Sequence, residues 1–342
     1  MNPAPEPELR RPVVSGATAP ALPGYDVRAP VRSDPPTPGV RRWRGRRHTD
    51  GLEVMLTCLD AVATPEEQMV ADVVGSLSQV RHPHLVPLCD IVTWPRRPGE
   101  PLGLALVTVA AESESLDAVL RRRGALDAGQ AVNVLGPVAE ALAHLHERHH
   151  VHGAPTAGSV RLARNGMPFL TDLGVHQCMP GPPVPHWVQQ GYVAPEVVEG
   201  FRATKQSDAY ALAALVWHVL RGQPPGATDG QREPDLEQLS SRGLSPRLAE
   251  MLTQGLGSDP EERPTASEWL EALPELGPPS PLDVLTDDGN DDAAEVPRRL
   301  RAWAHEATTH GRSARHRASR PRRGVRGART SGSRSGGRVV LH

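Results

Sequence analysis

The stretch Val160-Arg161-Leu162-Ala163-Arg164-Asn165-Gly166-Met167-Pro168-Phe169-Leu170-Thr171-Asp172-Leu173-Gly174 divides the chain into two parts of different character. It predicts a short strand, a two-residue Asn-Gly turn and a return strand that delivers Asp172 at its end. On its N-terminal side, from Tyr25 to about Val109, short apolar runs such as Glu53 to Leu59 and Leu104 to Val109 predict strands, with one helical stretch from Pro65 to Val80 between them. After Ser115 the pattern turns helical. Leu116 to Arg122 comes first. Asp127 then opens a long segment, with Gln130 placed to complete a capping box and Val132, Leu135, Val138, Leu142 and Leu145 on one face. Pro137 lies inside that run, where a local kink is expected. Beyond the hairpin, Asp208 to Leu220 is apolar enough for a buried helix, and Ser245 to Gly255 and Ala266 to Leu273 are amphipathic.

Composition narrows the function classes. The longest mostly apolar run, around Ala209 to Leu220, is too short to cross a bilayer as a helix. Cys58, Cys89 and Cys178 are too scattered for a disulfide framework or a Cys-rich zinc site, which fits a reducing cytoplasm. Near-neutral net charge hides a split. Residues 298 to 342 hold 13 arginines and one acid, Glu306, a sum of +12, so a whole-chain charge of -2 leaves -14 on residues 1 to 297. Residues 1–23 read as a Pro- and Ala-rich disordered leader, 24–276 as the folded domain, and 277–342 as an acidic linker (Asp287, Asp288, Asp291, Asp292) followed by an Arg-rich tail. The tail residues Arg312, Arg315, Arg317, Arg320, Arg322, Arg323, Arg326 and Arg329 lie among Ser, Gly, His and Ala with no apolar face. Such a segment is expected to be disordered and to attract polyanions, either nucleic acid or an anionic membrane surface.

One literal motif misleads. His146-Glu147-Arg148-His149-His150 spells H-E-x-x-H, a zinc-site pattern only if a single helix runs through both outer histidines. The motif needs the helix to run on through His150; if it stops at Arg148, the imidazoles of His146 and His150 no longer share a face.

In order along the chain stand Arg81-His82-Pro83-His84-Leu85-Val86, Thr171-Asp172-Leu173-Gly174, Gly191-Tyr192-Val193-Ala194-Pro195-Glu196, Ser207-Asp208-Ala209-Tyr210-Ala211-Leu212, Gly222-Gln223-Pro224-Pro225 and Arg263-Pro264-Thr265-Ala266. Together they resemble the landmarks of the eukaryotic-like serine/threonine protein kinases of bacteria. The resemblance implies an α+β, two-lobed protein kinase-like fold, with a β-rich N-lobe over about 24–108 and a helical C-lobe over about 112–276. It further implies that Glu196 pairs with Arg263, and that Asp208 accepts backbone hydrogen bonds from the catalytic loop.

The resemblance also implies where phosphoryl transfer would be done, and there the sequence departs from it. The third-strand lysine of V-A-I-K is matched by Thr57 in Val54-Met55-Leu56-Thr57, and the only lysine in the chain is Lys205. The helix glutamate that would hold that lysine is matched by Val73, with Asp72 beside it. The glycine-rich loop is matched by Asp34-Pro35-Pro36-Thr37-Pro38-Gly39, whose prolines lack the N–H groups that cradle phosphate. The pattern H-R-D-x-x-x-x-N is matched by His152 to Ser159. Ala154 replaces the orienting acid, Ser159 the second metal ligand, Thr156 the loop lysine, and Gly153 the arginine that grips a loop phosphate. No Ser or Thr lies between Leu173 and Pro195, where Gln189 and Gln190 occupy the usual threonine position. Prolines 180, 182, 183 and 185 stiffen that segment, and Trp187 reads as packed on its own lobe, with the alternative that it anchors a partner on a fixed surface.

Asp172 alone remains as a ligand for Mg²⁺ or ATP, so no cofactor is expected. Arg41, Arg42, Arg44, Arg46 and Arg47 on the second strand read first as solvated sheet-edge charges, with the alternative that one of them reaches the phosphates in place of the missing lysine. The expected function is a catalytically impaired kinase-like module that regulates or scaffolds an unidentified protein partner in signalling. Two alternatives stay open: a divergent serine/threonine protein kinase that keeps ATP binding and phosphoryl transfer, and a polyanion-binding protein that uses the arginine tail.

Overall fold

The structure is a computed structural model that describes residues 19–31, 39–59, 75, 77–94, 103–110, 113–163, 165–178, 191–226, 244–282, 284 and 338–339. An antiparallel sheet forms the N-lobe from β1 (Tyr25–Val31), β2 (Val40–Arg47), β3 (Glu53–Leu59), β4 (Leu88–Trp94) and β5 (Gly103–Val109). With the two-residue β9 (Arg338–Val339) its order is β1-β2-β3-β5-β4-β9. Successive side chains on a strand point to opposite faces. Trp43, Val54, Leu56, Cys58, Ala105 and Val107 therefore build one small core on the outer face. Val40, Leu59, Leu104 and Leu106 point down into the core shared with the helices. With both faces covered, β3 and β5 read as continuous apolar runs.

A second sheet, β6-β7-β8, is made from β6 (Ser113–Ser115), β7 (Val160–Ala163) and β8 (Pro168–Leu170). Its hairpin differs in detail from the two-residue turn expected. Gly166 has φ +76° while Asn165 does not enter the positive region. Gly166 N–H donates to Ala163 O at 2.8 Å, and Ala163 N–H to Met167 O at 3.0 Å. This is the longer hairpin form, in which a single glycine takes the left-handed position after the turn.

The helical lobe holds α1 (Leu116–Arg123), α2 (Ala128–Glu147), α3 (Pro195–Val198), α4 (Lys205–Arg221), α5 (Pro246–Gly255) and α6 (Ala266–Ala272). Asp127 and Gln130 close both halves of a capping box on α2, and Val132, Leu135, Val138, Leu142 and Leu145 are buried along it. α4 is buried on nearly every side, so it is the axis around which the lobe packs. The helix α2 ends at Glu147, and His149 takes φ +60°, the left-handed position usual for a helix-ending glycine. His146 and His150 therefore share no helical face.

Packing starts at Leu22, within the stretch read as leader, and continues past Leu276. Ser280 N–H donates to Gly129 O at 3.0 Å, and Leu282 and Val284 are buried in the main core. The carbonyl of Leu282 lies so close to Gly166 that a Cβ there would stand 2.5 Å from it. Residues 277–282 thus form a strap from the base of α6 past the start of α2 to the β7–β8 hairpin. Expectations for the leader up to residue 18, Asp34 to Pro38, Asp72 and Val73, the prolines from 180 to 185, Trp187, Gln189, Gln190, the acidic linker from Asp287 and the tail arginines from Arg312 to Arg329 lie outside the described residues.

Candidate functional site

The site is assembled around Asp208, a fully buried carboxylate in the first turn of α4. A charge buried this way needs donors. Oδ2 accepts the N–H of His152 at 2.8 Å and Nε2–H of His146 at 3.0 Å, and Oδ1 accepts the N–H of Gly153 at 2.9 Å. These bonds hold the loop from His152 to Ser159 in place. Gly153 has φ +92°, and a Cβ added there would stand 3.3 Å from Cβ of His176. The His152 ring donates through Nε2 to Thr171 O at 2.7 Å, tying the loop to the strand that carries Asp172.

Within the loop the polar groups satisfy one another. Ser159 Oγ accepts the N–H of Thr156 at 2.8 Å and donates to Thr156 O at 3.0 Å. Its one proton is committed inside the loop, away from the cleft. Ala154 presents a methyl group. Gly153, Ala154, Thr156, His176, Tyr192 and Ala194 line a cavity of about 20 Å³, room for a single water. Burial, with His152 adding to it, pushes the His176 imidazole down to about 4, so it is neutral at neutral pH.

Across the cleft, Thr57 on β3 is buried. Arg42 lies directly opposite it in the β2–β3 register. Arg42 Nη2 stands 3.0 Å from Asp172 Oδ1, with 16% and 22% of the two side chains exposed. The expectation of a solvated edge charge is thus wrong for Arg42, which lies in the cleft. Asp172 holds φ +64°, a left-handed backbone costly for a residue with a side chain. Burial opposes ionisation of Asp172, but Arg42 outweighs it and lowers the carboxyl below its usual range. Arg161 on β7 is within electrostatic reach of Asp172, Arg42, Glu114 and Arg44, and donates to Ser113 Oγ at 3.1 Å. The sequence reading missed Arg161. For Arg42 a signal existed: strands joined by a short turn at Asp50-Gly51 place it on the face of Thr57.

A further pair fixes the segment after the cleft. Arg263, with no exposed side-chain surface, forks onto Glu196, Nη1 to Oε1 at 2.7 Å and Nη2 to Oε2 at 2.8 Å. Its Nε–H donates to Gly257 O at 3.2 Å.

The family profile described as "Protein kinase domain" matches residues 46–273. The chain belongs to the protein kinase family. Among curated kinases it is 27% identical over 222 residues to the serine/threonine-protein kinase PknD of Mycobacterium tuberculosis, covering 60% of this chain and 32% of PknD. It is 28% identical over 257 residues to the serine/threonine-protein kinase PkaA of Streptomyces coelicolor, covering 68% and 46% of the two chains. To the serine/threonine-protein kinase PknA of M. tuberculosis it is 27% identical over 244 residues, covering 66% and 56%. This kinase-family chain thus spans roughly a third to a half of those relatives' length. Its kinase fold superposes on the crystal structure of Rad53 1-466 in complex with AMP-PNP with a TM-score of 0.57 at 17% identity, over 74% of this chain and 66% of that one. Among the described residues no helix is long and apolar enough to cross a membrane.

Proposed function

We propose that this protein kinase-family chain does not transfer phosphate at a useful rate and acts as a regulatory or scaffolding binding module. The observation that carries the reading is Ala154 on the loop held by Asp208. The position that orients the attacking hydroxyl has no side-chain proton acceptor, and the His152 imidazole beside it is fully buried and committed, its Nδ1 accepting the Ala154 N–H at 3.4 Å and its Nε2–H donating to Thr171 O. Loss of a general base lowers a rate by roughly 100-fold to 10,000-fold, and loss of an electrostatic donor by about 100-fold to 1000-fold. Such losses do not multiply cleanly. Set against a kinase rate of roughly 1 to 100 per second, the remainder is negligible for signalling. The supporting scaffold is kept, since Asp208, Glu196 and Arg263 are all engaged, and a kept scaffold with a lost acid suits a protein whose shape is what partners read.

A second reading, a divergent kinase, draws on one observation, the Arg42 guanidinium in the cleft opposite Thr57. It supplies a cation but no acid. Incubating the full chain with γ-labelled ATP, Mg²⁺ and a general acceptor protein separates the two. The expected result is no label above a boiled blank. Label that appears and is lost in Asp172→Ala would overturn the proposal.

A further inference from the structure

Kinase-family clefts imply a divalent cation on the aspartate matched by Asp172, and the residues present do not fit one. Mg²⁺ demands near-octahedral oxygen ligands. Asp172 Oδ1 already faces the Arg42 guanidinium at 3.0 Å, and the Ser159 hydroxyl is spent on Thr156 O. A metal ion at Asp172 would sit against a fixed positive charge. Among the described residues no group of three or more His, Cys, Asp or Glu side chains is placed to hold a metal ion.

We propose that the cleft binds a phosphate-bearing anion through arginine side chains, with the Arg42 guanidinium standing in for the divalent cation, so that binding requires no metal. Arg42 and Arg44 are two residues apart on β2 and share the face that carries Thr57 and Met55 on β3. Arg161 approaches from β7 on the other lobe. The Arg42 and Arg161 guanidinium groups stand within electrostatic reach of one carboxylate, Asp172, and Arg44 within reach of Arg161, while Glu114 is ion-paired with Arg122. Three positive charges less one leave a local excess of two. Arginine stays charged at every working pH, and its planar fork matches phosphate oxygens two at a time. Arg42 is held by Asp172 and Arg161 by Ser113, so little side-chain freedom is lost on binding. The Arg42–Asp172 pair is partly exposed, so an anion in the cleft reaches it.

The proposal rests on the reading that the cleft does not transfer phosphate, and its test fails separately. The thermal midpoint of the full chain is followed with ATP, inorganic tripolyphosphate or adenosine, each in excess EDTA and in Mg²⁺. Anion bound equally by folded and unfolded chains gives no shift. ATP, with or without tripolyphosphate, is expected to raise the midpoint as much in EDTA as in Mg²⁺. A response to both assigns the recognition to phosphate alone, and a response to ATP only assigns a nucleotide. Arg42→Ala should weaken the affinity by about tenfold or more. Should that variant not fold, Arg42→Lys, which keeps the charge and loses the fork, should weaken binding less. Asp172→Asn, which removes the competing carboxylate, should bind as tightly or more tightly, whereas a metal site would be destroyed by it. No shift in EDTA, loss of the shift in Asp172→Asn, or an equal shift with adenosine would each overturn the proposal. Label transfer in the preceding assay would instead overturn the functional reading.

Discussion

Arg263 and Glu196 meet in a two-bond fork that joins the turn before α6 to the start of α3. The same guanidinium reaches Gln206 O at 3.1 Å and lies 5.2 Å from the centre of the Tyr210 ring, so one side chain ties three segments together.

Replacing Arg263 by Ala takes this donor from Glu196 and from the backbone carbonyls of Gln206, Gly257 and Ser258. The expected loss is about 3 to 5 kcal/mol, the cost of breaking one side of a buried pair. Urea denaturation of the variant measures it, and a loss under about 1 kcal/mol would mean that the fork is no more than a surface pair.

Asp208→Asn keeps the shape of the side chain but turns an N–H₂ toward donors. Two of the groups it faces are the amides of His152 and Gly153. A loss of about 3 kcal/mol is expected, together with faster hydrogen exchange at those two amides. Exchange as slow as in the parent would show that the loop is held by something else.

Acid should unfold the protein through its histidines. Burial lowers His82, His176 and His218 to about 4 each, from a reference value of 6.5. In the unfolded chain these groups take up protons below pH 6.5 while the folded ones do not, so stability falls from pH 6.5 down to about 4. For His218 alone the loss between pH 7 and pH 5 is about 2 kcal/mol. Asp172, lowered from 3.8 by Arg42, adds loss of the same sign only below that value. His218→Gln should flatten the curve of thermal midpoint against pH over this window, and an unchanged slope would contradict the burial argument.

Ending the chain after Leu276 removes Leu282 and Val284 from the core, whereas ending it after Val284 keeps them. The shorter form should lose about 2 to 5 kcal/mol, the range for emptying a buried leucine site. Equal midpoints for the two forms would make the strap ornamental.

The fold was legible because its signals are local. The Asp127–Gln130 capping box, the apolar period of α2 and the apolar runs of β3 and β5 each report one element, and ordered landmarks such as Asp172-Leu173-Gly174 and Arg263-Pro264 join them. Glu196 and Arg263 were readable only through that order, since 66 residues of chain separate two unremarkable charges. What stayed hidden depends on contacts between distant strands. The short turn at Asp50-Gly51 places Arg42 and Arg44 on the face of Thr57, but only the packing of β2 over the later hairpin tells that Arg42 meets Asp172. Leu282, flanked by Pro281 and Asp283, carries no periodic pattern to mark it as buried.

The Arg42–Asp172 contact also has a mechanical side. It spans from the sheet to the helical half, so opening the hinge means pulling an ion pair apart, and each such excursion exposes two opposite charges to each other's absence. A binding partner that recognises the shut outline meets it already formed, and is spared the cost of selecting it from a breathing ensemble.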